Sequence, residues 1–165
     1  MRRARLLLSL ALLAACTPAP TRDPAVVQDV LDYVARIEQW EHVEALALRA
    51  IRDVRQNQFV DDDYVIATLG AVMDDVELHL EQVDVYQPRT PAVRAIHEHY
   101  AKAWHDLHDA FASIIGSMER KDYLALSKGT EEMQRARGEL VVVAAQLSGL
   151  MEETGLRNAS GRTTG

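Results

Sequence analysis

The sequence is almost without cysteine, because Cys16 is the only one among its 165 residues. A single cysteine excludes an intramolecular disulfide, and no Cys-x-x-Cys-His sequence is present for covalent haem attachment. Long apolar runs are missing as well: residues 6–15 form an apolar run of about ten residues, whereas a membrane-spanning helix needs roughly 20. No further stretch predicts a transmembrane helix.

Recognised catalytic signatures are also absent. No Glu-x-x-His sequence occurs, which removes the usual di-iron carboxylate centre of helical bundles. Nothing resembles a nucleophile elbow or a Ser-His-Asp triad. Asp61, Asp62 and Asp63 lack the Asp-x-Asp-x-Asp-Gly pattern of a calcium loop, so they are interpreted as the start of a helix. We therefore expect no enzymatic activity.

Acidic residues outnumber basic ones, 25 against 18. Removal of the first 15 residues takes away three arginines and leaves a net charge of −10 with histidine neutral. This balance argues against nucleic acid as a partner and against adhesion to anionic lipid through a basic patch.

The N-terminus has the order of a secretory signal peptide: basic residues, a short apolar run, then small residues. The sequence Leu13-Ala14-Ala15-Cys16 resembles the lipobox of bacterial lipoproteins. This resemblance implies cleavage before Cys16, attachment of a diacylglyceryl group to its thiol and usually acylation of its amino group with a fatty acid such as palmitate, and membrane anchoring outside the cytoplasm. Thr17, in place of an aspartate, resembles lipoproteins sorted to the outer membrane and facing the periplasm. An ordinary signal peptide with a chance cysteine is the alternative.

Four segments follow from these patterns. Residues 1–15 are predicted to be the signal peptide, residues 16–23 a lipidated tether rich in proline and threonine, residues 24–155 one domain, and residues 156–165 a disordered polar tail. A mature chain of this length can bury roughly 68–70% of its unfolded surface, so it needs no metal or disulfide to fold.

Apolar residues of the domain recur at helical spacing, and no alternation typical of strands occurs. Helices are predicted from Pro24 to about Gln58, from Asp61, from Pro91 to Arg120, and from Asp122 to Gly155. The first stripe contains Val30, Val34, Ile37, Leu48 and Ile51, and the fourth contains Tyr123, Leu126, Thr130, Met133, Leu140, Ala144, Leu147 and Met151. The fold class is therefore all-α, an antiparallel four-helix bundle with up-down-up-down topology.

The second half of the domain carries Pro91, His97 six residues later, and a short turn before Tyr123. In these features it resembles a loose class of helical bacterial lipoproteins. The resemblance implies a helical fold and no particular activity.

Histidines are concentrated in the third helix. Only His105 with His108 or Asp109 has the three- or four-residue spacing that brings two ligands to one helix face. Such a pair is a weak signal for a metal ion.

A second set of polar residues lies on apolar stripes of four different helices. Its members are Glu41, Glu44, His79, His97 and Arg137, which fall near one height when the helices are folded back at their turns. Buried charges must be paired, so the first interpretation is a structural network that includes Glu44 and Arg137. A metal or non-covalent haem site using the histidines and a glutamate is the second interpretation. A small-ligand pocket walled by Trp40, Tyr100 and Trp104 is the third.

These observations predict a lipid-anchored, extracytoplasmic binding or scaffold protein without catalysis or a cofactor of its own. Its partners would be the membrane, through Cys16, and a protein of the cell envelope. The alternative prediction is a periplasmic metal- or haem-binding bundle.

Overall fold

Four long helices make up the chain in a computed structural model that describes residues 23–55 and 61–156. They are α1 (Pro24–Arg55), α2 (Asp62–Val85), α3 (Pro91–Glu119) and α4 (Tyr123–Glu153). Successive helices are antiparallel, and no strand occurs in either described range. The prediction of an all-α, antiparallel four-helix bundle is confirmed.

Several predicted segments lie outside the described residues: the signal peptide, Cys16 and most of the tether, the residues after Arg55, and all but the first residue of the tail. Within residues 23–55 and 61–156, no helix has an apolar stretch that meets the length and hydropathy needed to cross a bilayer.

Aspartates begin three of the four helices, as their positions in the sequence predict. The carboxylates of Asp23, Asp61 and Asp122 each accept a hydrogen bond from a backbone N–H in the following first turn, at 2.9, 2.9 and 3.1 Å. These bonds satisfy N–H groups that have no acceptor inside the helix. The helix starts are therefore encoded locally.

Left-handed residues end α3 and α4. Lys121 has a φ of 55° and donates its N–H to the Met118 carbonyl at 3.0 Å, while Asp122 donates to the Ser117 carbonyl at 2.9 Å. This is a Schellman motif, which usually has glycine at the left-handed position. Gly155, with a φ of 73°, ends α4 in the same way, as predicted.

Helix α3 lies at the centre of the bundle and contacts the other three helices. Its closest neighbour is α4, which approaches at Gly129. A Cβ atom at that position would lie only 3.1 Å from Ile114 Cγ1 and 3.2 Å from Ser113 Oγ. The missing side chain therefore permits the close approach of the two helices.

The bundle is open between α1 and α4, which touch only sparsely. The prediction that Leu48 and Ala144 lie on core stripes is wrong for this reason, because both are exposed. Tyr123, at the start of the predicted fourth stripe, is 62% exposed. The spacing of apolar residues identifies one face of a helix, but it cannot show whether another helix packs against that face.

Candidate functional site

Seven rings from α1, α2, α3 and the α2–α3 turn form an aromatic cluster in the core. Its members are Tyr33, Trp40, His79, Tyr86, His97, Tyr100 and Trp104. Most pairs meet edge to face, whereas Trp40 and Tyr100 stack with an interplanar angle of 12°. Both geometries are favourable for rings that carry opposite partial charges on face and edge. The chain has few aromatic residues, and this cluster gathers most of them.

A hydrogen-bonded chain links three helices inside this cluster. The Tyr100 hydroxyl donates to Glu44 Oε1 at 2.7 Å, and its oxygen lies 3.2 Å from His79 Nε2. Because the hydroxyl proton is already used, His79 Nε2 must carry the proton that it donates to Tyr100. His79 Nδ1 is then the unprotonated nitrogen, buried and without a hydrogen-bond partner in the described part of the chain.

Burial sets the protonation of these groups. It lowers the pKa of His79 to about 4, so the ring is neutral at neutral pH. Burial also raises the pKa of Glu44, an effect that the Tyr100 hydrogen bond opposes and the neighbouring Glu41 charge reinforces. The pKa of Tyr100 lies well above its usual value, through burial first and then the Glu44 charge. The chain is thus built from a neutral histidine, a phenol and a carboxyl group.

His97 holds the other end of the cluster. Its Nε2 lies 3.1 Å from the carbonyl of Val83 in the last turn of α2, and its Nδ1 lies 3.4 Å from the Tyr33 hydroxyl. The carbonyl can only accept, so Nε2 carries the proton and Nδ1 faces a hydroxyl donor. His97 therefore helps to satisfy a helix-end carbonyl of α2. Burial, opposed by this backbone bond, lowers the pKa of the ring.

Asp29 is a buried carboxylate that the sequence reasoning missed. It is 1% exposed and accepts hydrogen bonds from the backbone N–H groups of Arg89 and Thr90 and from the Thr90 hydroxyl, at 3.2, 2.7 and 2.7 Å. Thr90 is the predicted N-cap of α3, but its own side chain makes no capping bond. Asp29 of α1 instead binds the two backbone N–H groups that immediately precede α3. Asp29 lies three residues after Val26 and four before Tyr33, on an apolar line of α1. This spacing could have predicted that its carboxylate is buried.

Between α1 and α4 lies a half-open groove, the α1–α4 groove, with a volume of about 240 Å³. Its lining is mostly apolar, and it consists of Glu44, Ala47, Leu48, Trp104, Leu107, Arg137, Leu140, Val141 and Ala144. Glu44 thus contributes both to the hydrogen-bonded chain of the core and to the wall of the groove. The groove is the opening that follows from the sparse contact between the two helices.

The predicted polar layer is only partly assembled. Glu44 and Arg137 line the same groove, yet no ion pair joins them within the described ranges. Glu41 is exposed, and the neighbouring Trp40 packs against His79 in its place, with ring centroids 5.2 Å apart. His79 and His97 occupy different parts of the cluster. The observed orientation of α1 differs from the predicted one by about one residue, because Trp40 and not Glu41 faces His79.

The remaining predicted histidine ligands lie at the surface between helices. His105 Nε2 is 3.0 Å from a carboxylate oxygen of Asp84 on α2. His108 lies 3.2 Å from Asp109 and 3.5 Å from Glu77. The two histidines therefore face different carboxylates and do not converge on one point.

For residues 23–55 and 61–156, no group of three His, Cys, Asp or Glu side chains has an arrangement that could hold a metal ion. The buried histidines each use at least one nitrogen in a hydrogen bond within the core. The metal or haem site stays a prediction, and none of these contacts favours it.

Comparison with known proteins gives no match: no family model, no curated protein sequence and no solved structure resembles the chain. The candidate sites are therefore argued from their own geometry.

Proposed function

We propose that the protein is a lipid-anchored, extracytoplasmic helical binding module that holds a protein partner of the cell envelope and catalyses no reaction. The anchor is Cys16, and the tether of residues 16–23 spans at most roughly 26 Å at about 3.3 Å per residue. It would keep the end of the bundle where α1 begins next to the membrane.

The observation that carries the binding role is the outer face of α4, defined by Gly138, Val142 and Ala145. All three residues are exposed. They lie opposite the buried Met133 and Val143, so the side of α4 that faces away from its own bundle carries no charged residue between Gly138 and Ala145. A surface helix normally presents charged residues there.

The chemistry of this face indicates the kind of partner. Exposed Arg135 precedes the face and exposed Glu152 follows it. A partner with an apolar patch flanked by one acidic and one basic group would complement it. Apolar side chains that a protein leaves exposed in a contiguous patch commonly mark an interaction surface.

The buried histidines do not offer an accessible general acid or base. His79 and His97 are closed off from solvent at 1% and 6% exposure, and neither lines the α1–α4 groove. A general acid or base must reach its substrate, and these rings do not.

The anchor is tested by fractionation of cells that express the full chain. We expect the wild-type protein in the membrane fraction and Cys16→Ser released from it. Equal membrane association of the two would refute the anchor without affecting the binding role.

The binding role is tested by a photo-crosslinking residue at Val142 in the full chain, with the same residue at exposed Ala112 of α3 as the matched control. We expect one discrete adduct from position 142 and none from 112. No adduct from position 142, or an adduct with a second copy of this chain, would overturn the assignment of an envelope partner.

A further inference from the structure

We propose that the α1–α4 groove binds a small amphipathic carboxylate, whose apolar body packs against the aliphatic lining of the groove and whose carboxylate pairs with Arg137. This site is distinct from the outer face of α4. The inference goes beyond the proposed function and does not depend on the anchor or on the envelope partner.

The shape and lining of the groove set the size and the apolar character of the ligand. At about 240 Å³, the groove lies just below the range of about 300–1,000 Å³ that is usual for small-molecule sites. Most of its wall is aliphatic or aromatic, and it includes Leu107, Leu140 and Val141. Leu48, at the edge, is 45% exposed. An apolar body of short to medium length would cover this surface and remove it from water.

The polar groups of the groove determine the sign of the ligand's charge. The Arg137 guanidinium makes no hydrogen bond or ion pair with any residue of the described chain. An arginine side chain only donates hydrogen bonds, so a ligand that satisfies it must supply acceptors. Its positive charge favours a ligand with an anionic oxygen.

A carboxylate fits the Arg137 guanidinium better than the other charged groups do. A planar guanidinium matches a carboxylate through two parallel hydrogen bonds. A phosphate would bring a second negative charge, and Arg137 is the only cation in the lining. Glu44 is the one competing anion, and it already accepts the Tyr100 hydrogen bond. Burial raises the pKa of Glu44, which weakens its repulsion of a bound carboxylate.

Octanoate is the probe, titrated into the purified full chain below its micelle concentration and followed by tryptophan fluorescence and calorimetry. Octanol has the same apolar body without charge, octylammonium reverses the charge, and acetate lacks the body. We expect saturable one-to-one binding of octanoate, at least about tenfold weaker binding of octanol, and no binding of acetate, because a charge-assisted hydrogen bond contributes more than a factor of ten.

Arg137→Gln should weaken octanoate binding about tenfold or more and leave octanol binding unchanged. Arg135→Gln, on the same helix but outside the groove lining, is the matched control and should bind octanoate normally. Ala144→Phe fills the groove from an exposed position, so it should block binding without unfolding the protein.

Equal affinity for octanol and octanoate would overturn the proposal. Unchanged octanoate affinity in Arg137→Gln, or the absence of saturable binding, would overturn it as well. A preference for octylammonium would assign the charged contact to Glu44 instead and would refute a carboxylate ligand.

Discussion

Asp29 of α1 and Thr90 at the start of α3 are 61 residues apart in the sequence, yet two hydrogen bonds of 2.7 Å join them. The carboxylate of one helix thus satisfies two backbone N–H groups that immediately precede another helix. Burial raises the pKa of Asp29, but the bonds from Thr90 and Arg89 outweigh it and hold that pKa below the usual value of 3.8. Asp29 therefore joins the α2–α3 turn to α1, next to the more exposed ion pair between Arg89 and Asp32.

Asp29→Ala should lower the free energy of unfolding by about 2–3 kcal/mol, because it leaves the buried N–H and hydroxyl donors of Thr90 without an acceptor. Urea unfolding measures this loss. Asp32→Ala, one turn along at a partly exposed position, is the control and should change stability by less than about 0.5–1 kcal/mol. Equal losses in the two variants would contradict a special role for Asp29.

The Asp29 carboxylate also makes the stability of the folded protein depend on pH in the acidic range. Its folded-state pKa is lowered, so its contribution to stability is full above the unfolded value of 3.8 and disappears as the pH falls through the folded-state pKa. The Asp29→Ala variant should therefore lose less stability than the wild type below about pH 4. Urea unfolding curves of the two proteins across this pH range test the prediction. Equal losses of stability in the wild type and in Asp29→Ala would contradict it.

His79 makes the stability of the folded protein depend on pH in a less acidic range. Its pKa is about 4 in the folded protein and 6.5 in the unfolded chain, so the unfolded chain binds the proton more tightly between these values. Stability due to neutral His79 is full above pH 6.5 and declines toward pH 4, with a loss of about 2 kcal/mol at pH 5. The unfolding free energy of His79→Phe, measured by urea unfolding, should therefore fall by about 2 kcal/mol less than that of the wild type between pH 6.5 and pH 5. An equal fall in the two proteins would contradict this role of His79.

Tyr100 and Tyr33 offer a matched pair of hydroxyl deletions. The Tyr100 hydroxyl makes a 2.7 Å bond to Glu44 and meets His79, whereas the Tyr33 hydroxyl has one 3.4 Å contact with His97. Tyr100→Phe should cost about 1–3 kcal/mol, and Tyr33→Phe less than about 1 kcal/mol. Chemical denaturation measures both. A larger loss in Tyr33→Phe would show that the buried chain from Glu44 to His79 contributes little.

Lys121 is the one non-glycine residue with positive φ in the described ranges, at 55°. Lys121→Gly should stabilise the protein by about 1 kcal/mol, because glycine adopts this conformation without strain. Gly155→Ala, at the equivalent position of α4, should destabilise it by a similar amount. Thermal unfolding followed by circular dichroism tests both. A loss of stability in Lys121→Gly would mean that the lysine side chain outweighs the backbone strain.

The predicted metal or haem site has a direct test as well. The purified protein, exposed to zinc or haemin and then dialysed, should retain neither in stoichiometric amount, because His79 and His97 are held in separate hydrogen bonds. Metal analysis and the absorbance spectrum are the measurements. Retention that is lost in His97→Ala would overturn this expectation and restore the metal or haem interpretation.

Much of the fold was determined by the sequence alone, because its signals act over a few residues. Asp61 and Asp122 cap the helices that they begin, Pro91 occupies the first turn of α3, and Gly155 ends α4. The apolar residues recur at helical spacing and form one face on each helix, and burial of these faces requires that the helices pack together. Each of these effects depends on neighbours within about one or two helical turns, so they can be predicted without a tertiary structure.

The candidate sites were decided by the tertiary structure, because they depend on the rotation and spacing of the helices. A rotation of one residue along α1 places Trp40 against His79 and leaves Glu41 in solvent. The gap between α1 and α4 turns the predicted core residues Leu48 and Ala144 into the wall of a groove. The sequence determined that Glu44 and Arg137 lie on their helices at similar heights. Only the packing of α4 mainly against α3 decided that they line an open groove without forming an ion pair.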